Sequence, residues 1–212
     1  MNGPSFLFLL LFCAIALIGA YNALFPVDAA TAMTRSFALS GFLLLCVSLM
    51  LGPLMLIRPD IFGQLIEPRR AIGIACFVFV LSHILILFSA RFGFDIGPTI
   101  FSANPFIVIP ATLILFVLTI TSSDFAIKAL GAGMWKNVQR FNYLAFVLIF
   151  AHFLLYSNGL FANVRGTTFV NLSEAIMVLL GIATIVLQAA GIIIRKKKEA
   201  ENRAKLSGAA SA

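Results

Sequence analysis

Six long apolar runs constrain the fold of this chain more than any other feature of its sequence. Each run is about as long as the ~20 residues that an α-helix needs to cross the hydrocarbon core of a bilayer. The runs cover residues 5–25, 37–57, 71–90, 105–123, 141–157 and 174–194. They do not alternate between apolar and polar residues, which disfavours a membrane β-barrel. The sequence therefore predicts an all-α integral membrane protein, a bundle of six transmembrane helices.

The composition supports this class. Of the 212 residues, 61% are hydrophobic and 11% are charged, and the mean hydropathy is +1.07. The first run resembles a signal peptide, but no Lys or Arg precedes it and its apolar stretch is long, so we predict a retained helix. We expect one transmembrane domain over residues 1–194 and a basic cytoplasmic tail over residues 195–212.

The net charge of +7 is distributed unevenly between the loops. Twelve of the 15 Lys and Arg residues follow the second, fourth and sixth runs, whereas only Arg35, Arg91 and Arg165 lie in the intervening loops. This is the positive-inside pattern, and it predicts that both termini face the cytoplasm. The basic stretch at residues 195–198 has an alternative role in binding anionic lipid or nucleic acid. The topogenic role explains the same charges, so we expect no nucleic-acid partner.

Soluble cofactor domains and thiol chemistry are not indicated. Cys13, Cys46 and Cys76 lie inside apolar runs without the spacing of a zinc site or a redox pair. Neither a dinucleotide-binding glycine pattern nor a P-loop is present. Any chemistry is therefore expected within the membrane or from a partner.

The two histidines of the chain, His83 and His152, both lie inside apolar runs. Ionisable side chains at such positions are functional candidates by default. From the cytoplasmic ends of their runs, near Arg70 and Arg140, the histidines lie 13 and 12 residues in. These separations correspond to about 20 Å and about 18 Å along a helix. The two imidazoles are therefore expected at one level, past the midplane of a hydrocarbon core about 30 Å thick.

Two imidazoles at one depth suit a metal centre. Haem iron accepts two axial nitrogen ligands from opposite faces. Zinc usually has three or four ligands, and no Asp, Glu or Cys lies at that depth on either run. The alternative is that each histidine hydrogen-bonds a facing helix or a buried water.

Residues 69–156 resemble the ferric-reductase-like transmembrane domain, and within it the MsrQ (YedZ) branch, the haem-binding membrane subunit of a periplasmic methionine sulfoxide reductase system. The stretches that carry the resemblance are RRAIGIACFVFVLSH (69–83), NPFIVIPATLILFVLTITSSD (104–124), LGAGMWKNVQRFNY (130–143) and AHFLLY (151–156). The resemblance implies haem b between the third and fifth runs, with His83 and His152 as ligands. It also implies a bacterial inner membrane location and electron transfer toward a periplasmic acceptor.

The chain departs from the family pattern at Gln139, which stands where the family has a histidine. In two-haem relatives such as NADPH oxidases, that position binds a second, inner haem. An amide is a poor iron ligand, and the matching end of the third run offers only Arg69 and Arg70, so we predict one haem per chain.

The resemblance also suggests further cofactor-binding residues. MsrQ-like proteins are associated with quinone and FMN, and candidates for such an inner site are Arg69, Arg70, Trp135 and Lys136. Arg91 and Tyr156 are candidates for hydrogen bonds to a haem propionate. For each of these six residues the alternative is anchoring at the membrane interface.

The leading hypothesis is a membrane cytochrome b-type subunit that relays electrons from quinol or flavin to a periplasmic oxidoreductase partner. Such a protein is an electron-transfer subunit more than a stand-alone enzyme, and a cytoplasmic flavin reductase is a possible donor. One alternative is a structural or assembly subunit of a larger membrane complex with a reduced or absent haem set. Another is ferric reductase activity, which shares the haem and differs in the acceptor.

Overall fold

The computed structural model describes residues 3–24, 28–65, 68–95, 97, 104–156, 161–164, 167–170 and 172–209. The helices discussed below are α1 (Gly3–Leu24), α2 (Ala29–Ile57), α3 (Pro59–Phe62), α4 (Pro68–Ile86), α5 (Pro105–Ile120), α6 (Asp124–Gln139), α7 (Phe141–Tyr156) and α8 (Leu172–Ala209). A 3-10 turn (Gly63–Leu65) follows α3, and a π-helical turn (Leu87–Arg91) continues α4. A short antiparallel hairpin, β1 (Phe161–Val164) with β2 (Thr167–Val170), precedes α8, and its register pairs Phe161 with Val170.

The predicted helical membrane fold is confirmed in its main feature. Five helical segments within the described residues are long and apolar enough to cross a membrane: Gly3–Ala23, Ala29–Ile57, Pro68–Arg91, Asp124–Tyr156 and Leu172–Ala204. The fourth predicted run forms α5, which has 16 residues and is therefore about 24 Å long. The six spans and the cytoplasmic position of both termini stay predictions.

Helix α2 begins earlier than the sequence predicted, at Ala29 and not at residue 37. Asp28 caps this helix, because its Oδ1 accepts a hydrogen bond from the backbone N–H of Thr31 at 2.9 Å and its Oδ2 accepts one from the Thr31 hydroxyl at 2.6 Å. These hydrogen bonds lower the pKa of Asp28 below its ordinary value. The earlier start corrects the position of Arg35, which was expected in a loop and lies inside α2.

The predicted loop between the fourth and fifth runs is also helical. Ser123 caps α6 by accepting a hydrogen bond from the backbone N–H of Ala126 at 3.2 Å. The helix is kinked at Gly131, where φ is +72°, and Arg140 joins it to α7. Residues 25, 157 and 165, which the sequence placed at the ends of runs or in a loop, lie outside the described residues.

Helix α2 forms the centre of the core. Its buried apolar side chains include Leu39, Phe42, Leu45, Cys46 and Leu49. It packs against α1, α4 and α8, while α5 packs against α7. Gly41 permits a close approach to α4, because a methyl group at this position would lie 3.2 Å from Val80 Cγ2. This packing leaves a space between α2, α4, α5 and α7 near one end of the bundle.

Candidate functional site

A cavity of about 870 Å³ lies between α2, α4 with its π-helical turn, α5, α7 and the start of α8. Its volume falls within the range of roughly 300–1,000 Å³ that is usual for small-molecule and cofactor sites. Both histidines of the chain, His83 on α4 and His152 on α7, line it. The structure therefore brings the two residues singled out in the sequence to one cavity.

His83 is held in a defined orientation. Its Nδ1 lies 3.0 Å from the backbone carbonyl oxygen of Thr34 on α2. A carbonyl cannot donate, so Nδ1 carries the proton and donates it, and Nε2 of the neutral ring keeps its lone pair. A backbone carbonyl on one ring nitrogen is the usual support for a histidine that binds metal through the other nitrogen.

His152 lies on the α7 wall of the cavity. Its Nδ1 is buried and has no hydrogen-bond partner among the described residues. The Tyr156 ring lies one turn further along α7, with its centroid 4.9 Å from that of the imidazole and a tilt of 34°. An unpartnered buried nitrogen is costly unless a ligand or water binds it, so this ring retains binding capacity.

Two further residues predicted from the sequence, Arg91 and Tyr156, also line the cavity. Arg91 ends the π-helical turn and is exposed. The Tyr156 hydroxyl oxygen accepts a hydrogen bond from the backbone N–H of Asn104 at 2.8 Å. Its own O–H proton is not needed for that contact, so Tyr156 can still donate to a ligand.

An ion pair that the sequence analysis missed completes the polar part of the lining. Arg35 Nη2 on α2 donates to Glu174 Oε1 on α8 at 2.9 Å, and the two side chains are 22% and 5% exposed. Both residues line the same cavity as the histidines. Glu174 was placed at the first position of an apolar run, and acidic residues within membrane spans are rare. That rarity is the feature of the sequence that could have identified Glu174 as a candidate site residue.

The apolar lining includes an aromatic cluster centred on Phe42. The Phe42 ring stacks on Phe153, Phe150 and Phe146 of α7 with centroid separations of 5.3, 5.7 and 6.1 Å. Phe42 and Phe153 line the cavity directly. Their rings give a planar apolar ligand a surface to pack on and exclude water from the space between the helices.

These features fit a haem. The cavity is lined by two imidazoles, one with an oriented lone pair and the other with an unpartnered buried nitrogen, together with the apolar side chains of Phe42 and Phe153. Arg91 and Tyr156 supply donors for carboxylate groups at the polar side. Within the described residues, no group of three or more His, Cys, Asp or Glu side chains is arranged to hold a metal ion without such a macrocycle.

The residues proposed for an inner flavin or quinone site lie elsewhere and do not converge in the same way. Arg70 donates to Asp124 Oδ1 at 2.8 Å and to the carbonyl of Ser122. The Trp135 indole N–H donates to the carbonyl of Thr121 at 3.0 Å, and Gln139 Nε2 lies 3.4 Å from the Thr121 hydroxyl. These contacts tie α4 and α6 to the junction between α5 and α6.

The other two candidates are positioned differently. Arg69 faces α2, where a methyl group on Gly52 would lie 3.7 Å from its Nη1. Lys136 is exposed on α6. A smaller, apolar groove of about 250 Å³ lies nearby, lined by Leu113, Ile114, Val117, Leu118, Val138 and Phe141.

The chain is similar to proteins that are named as heme-binding subunits. No family model and no solved structure matches it. It is 30% identical over 116 residues to the protein-methionine-sulfoxide reductase heme-binding subunit MsrQ of Agrobacterium fabrum, covering 52% of each protein. It is 31% identical over 112 residues to MsrQ of Polaromonas naphthalenivorans, covering 51% of this chain and 50% of the relative.

A second kind of relative is longer. The chain is 30% identical over 124 residues to the magnetosome protein MamZ of Magnetospirillum gryphiswaldense, covering 56% of this chain and 18% of MamZ. The aligned part of the chain thus spans about half the length of the curated MsrQ relatives and less than a fifth of MamZ. The similarity to MsrQ confirms the resemblance inferred from the sequence motifs.

Proposed function

We propose that the protein is a haem-binding membrane electron-transfer subunit, in which His83 and His152 coordinate one haem b. The observation that carries this proposal is that both histidines of the chain line a single cavity of about 870 Å³. The similarity to subunits whose name states that they bind haem supports the same assignment.

The residues of the cavity have separable tasks in this proposal. A bound haem supplies one-electron redox chemistry. His83 would hold the group through Nε2, because the Thr34 carbonyl accepts the hydrogen bond from Nδ1 and fixes the orientation of the ring. Phe42 and Phe153 would give the group an apolar surface to pack on and would exclude water from the site.

We assign the cavity to the periplasmic half of a bacterial inner membrane. In this topology the six apolar runs cross the membrane and both termini are cytoplasmic, because twelve of the 15 basic residues follow alternate runs. In this arrangement the subunit would relay electrons from a quinol or flavin to a periplasmic oxidoreductase or a larger membrane complex. A cytoplasmic flavin reductase is a further candidate donor.

A single haem is proposed because Gln139 stands where two-haem relatives have a histidine, and its amide already contacts Thr121. Gln139 lies at the end of α6, where its Nε2 faces the Thr121 hydroxyl at 3.4 Å. On the matching end of α4, Arg70 is bound to Asp124 and Ser122. Neither side chain offers the imidazole that a second iron would need.

Haem content of the purified protein tests this proposal. Expression in a bacterial host followed by detergent extraction and a pyridine haemochrome assay should give about one haem b per chain. His83→Ala and His152→Ala should each abolish the reduced α-band. The matched control is Gln139→Ala, at the position where the MsrQ-like pattern has a histidine, and this variant should retain the band. Retention of haem in both histidine variants would refute the assignment.

The second candidate is a structural or assembly subunit that keeps the fold with a reduced or absent haem set. Its support is the similarity of this chain to a small part of the much longer MamZ, together with the glutamine at position 139. A haem-free wild-type protein that co-purifies with a membrane complex, and whose loss disperses that complex, would favour this function.

A further inference from the structure

We infer that Arg35 and Glu174 form a charge-balanced pair at the redox centre in the cavity, in which each side chain offsets the effect of the other on the reduction potential. This inference rests on the proposed function, and it assigns a role to two residues that the proposed function does not use. The two side chains join α2 to α8 at 2.9 Å, and Glu174 is almost fully shielded from solvent. Charges inside a membrane bundle are expensive, so a paired and shielded set is a functional candidate by default.

The pair lies next to the histidine support. Arg35 directly follows Thr34, whose carbonyl accepts the hydrogen bond from His83 Nδ1 at 3.0 Å. Arg35, Glu174, His83 and His152 all line the same cavity. The pair therefore belongs to the wall of the proposed haem site.

The remaining charged groups that line the cavity are more exposed. Asp28 caps α2 at its exposed start and is hydrogen-bonded to Thr31, and Arg91 is exposed at the end of the π-helical turn. Water and salt screen exposed charges strongly and shielded charges much less. Among the charged residues described in the cavity lining, Arg35 and Glu174 are therefore screened least by water and salt.

Arg35 and Glu174 have opposite charges, so their effects on the reduction potential cancel while the pair is intact. Reduction adds one negative charge to the haem, so a nearby cation favours the reduced form and a nearby anion favours the oxidised form. Two unit charges about 10 Å apart, at an effective dielectric constant of about 20, change an equilibrium constant more than tenfold. The intact pair holds the site near neutrality, and removal of one partner unbalances it.

Redox titration of the haem α-band in the full-length protein tests the inference with a signed result. Glu174→Gln leaves Arg35 uncompensated and should increase the equilibrium constant for haem reduction about tenfold, which for a one-electron couple is about 59 mV. Arg35→Gln should shift it in the opposite direction. The double variant Arg35→Gln/Glu174→Gln should lie within about twofold of the wild type.

A merely structural role of the pair predicts a different pattern, because damage to the α2–α8 contact would move both single variants the same way. The matched control is the exposed pair Arg58–Asp60, whose side chains are 59% and 62% exposed. Asp60→Asn should leave the potential unchanged. A Glu174→Gln potential within twofold of wild type, or any pattern other than opposite shifts in the single variants, overturns the inference.

Loss of haem from a single variant would not end the test. Arg35→Lys and Glu174→Asp keep both charges, and they should titrate within twofold of wild type, whereas a larger shift contradicts control by charge. A wrong proposed function would give a different result from a wrong inference about the ion pair. The wild-type protein would then contain no haem, or the His83 and His152 variants would retain haem.

Discussion

The two ends of the helical bundle use similar polar residues in opposite ways. At the cavity end, defined here by His83, His152, Arg91 and Tyr156, polar groups surround an open space, and His152 Nδ1 has no partner among the described residues. At the junction end, defined by the α5–α6 junction with Arg70, Trp135 and Gln139, the same kinds of groups are hydrogen-bonded to the protein itself.

The two ends differ in how much of their hydrogen-bonding capacity the protein itself uses. A polar group whose hydrogen-bonding capacity is used by the protein stabilises the fold and has little left for a ligand. A buried polar group without a partner costs free energy until something binds it. This criterion supports the cavity end as the proposed binding site, whereas Arg70, Trp135 and Gln139 at the junction end hold α4, α5 and α6 together.

The largest expected effect comes from filling the cavity. Ala111 on α5 is buried and lines the cavity, so Ala111→Phe would place a ring in the space proposed for the haem. We expect haem content to fall at least tenfold while the protein still inserts and folds, since overpacking typically costs about 1–3 kcal/mol. The measurement is the ratio of haem to protein after purification.

The control for cavity filling lies on the same helix. Leu113 is 57% exposed and borders the apolar groove, so Leu113→Phe adds a ring of comparable size away from the cavity. It should keep one haem per chain. Equal haem content in the two variants would show that the cavity is not the site.

The next effect concerns the stability of the junction end. Arg70→Gln removes the hydrogen bonds to Asp124 and to the Ser122 carbonyl. Because the two charged side chains are 41% and 81% exposed, the expected loss is about 1 kcal/mol or less. Thermal denaturation in detergent should detect it, and haem content should be unchanged. A variant that folds normally but loses haem would place a cofactor at this end.

A good part of this arrangement could be predicted from the sequence. The rise per residue of a helix gives the depths of His83 and His152 in the membrane from their sequence positions. Equal depths on neighbouring helices are enough to predict that both residues line one cavity. The apolar runs likewise predicted the main membrane-spanning helices, because length and composition decide that property. The resemblance added the cofactor class.

The rest depended on tertiary contacts. The cap by Asp28 extends α2 backward by two turns, and this extension carries Arg35 from an expected loop into the wall of the cavity. Its partner Glu174 is 139 residues away in the chain, so no local pattern links them. The roles of Arg70 and Trp135 at the junction were hidden for the same reason, since their acceptors lie on other elements.

A smaller effect is expected from the cap of α2 at the cavity end, and its pH dependence has a definite sign. Hydrogen bonds from Thr31 lower the pKa of Asp28 in the folded protein. Such a group stabilises the fold fully above its unfolded pKa of about 3.9, and this contribution is lost as the pH falls through the lower folded value. Asp28→Ala should therefore melt a little below the wild type at neutral pH and at nearly the same temperature in strong acid.

Asp28→Asn is the matched control for that charge. Asparagine keeps a capping oxygen and does not titrate, so the difference between the Asn and Ala variants should not depend on pH. A difference between wild type and Asp28→Ala that grows on acidification would contradict the assigned direction of the pKa change.

The smallest expected effect, no change in haem stoichiometry, follows from Gln139→His. The variant introduces the histidine of the MsrQ-like pattern at this position, yet a haem held between two helices by two imidazoles would need a second histidine on the facing helix. The matching end of α4 provides Arg69 and Arg70, of which Arg70 is already bound to α6 and the junction. The pyridine haemochrome assay should still give one haem per chain. A second haem in this variant would mean that the junction end retains binding capacity. The side chain at position 139 alone would then account for the difference between the two ends.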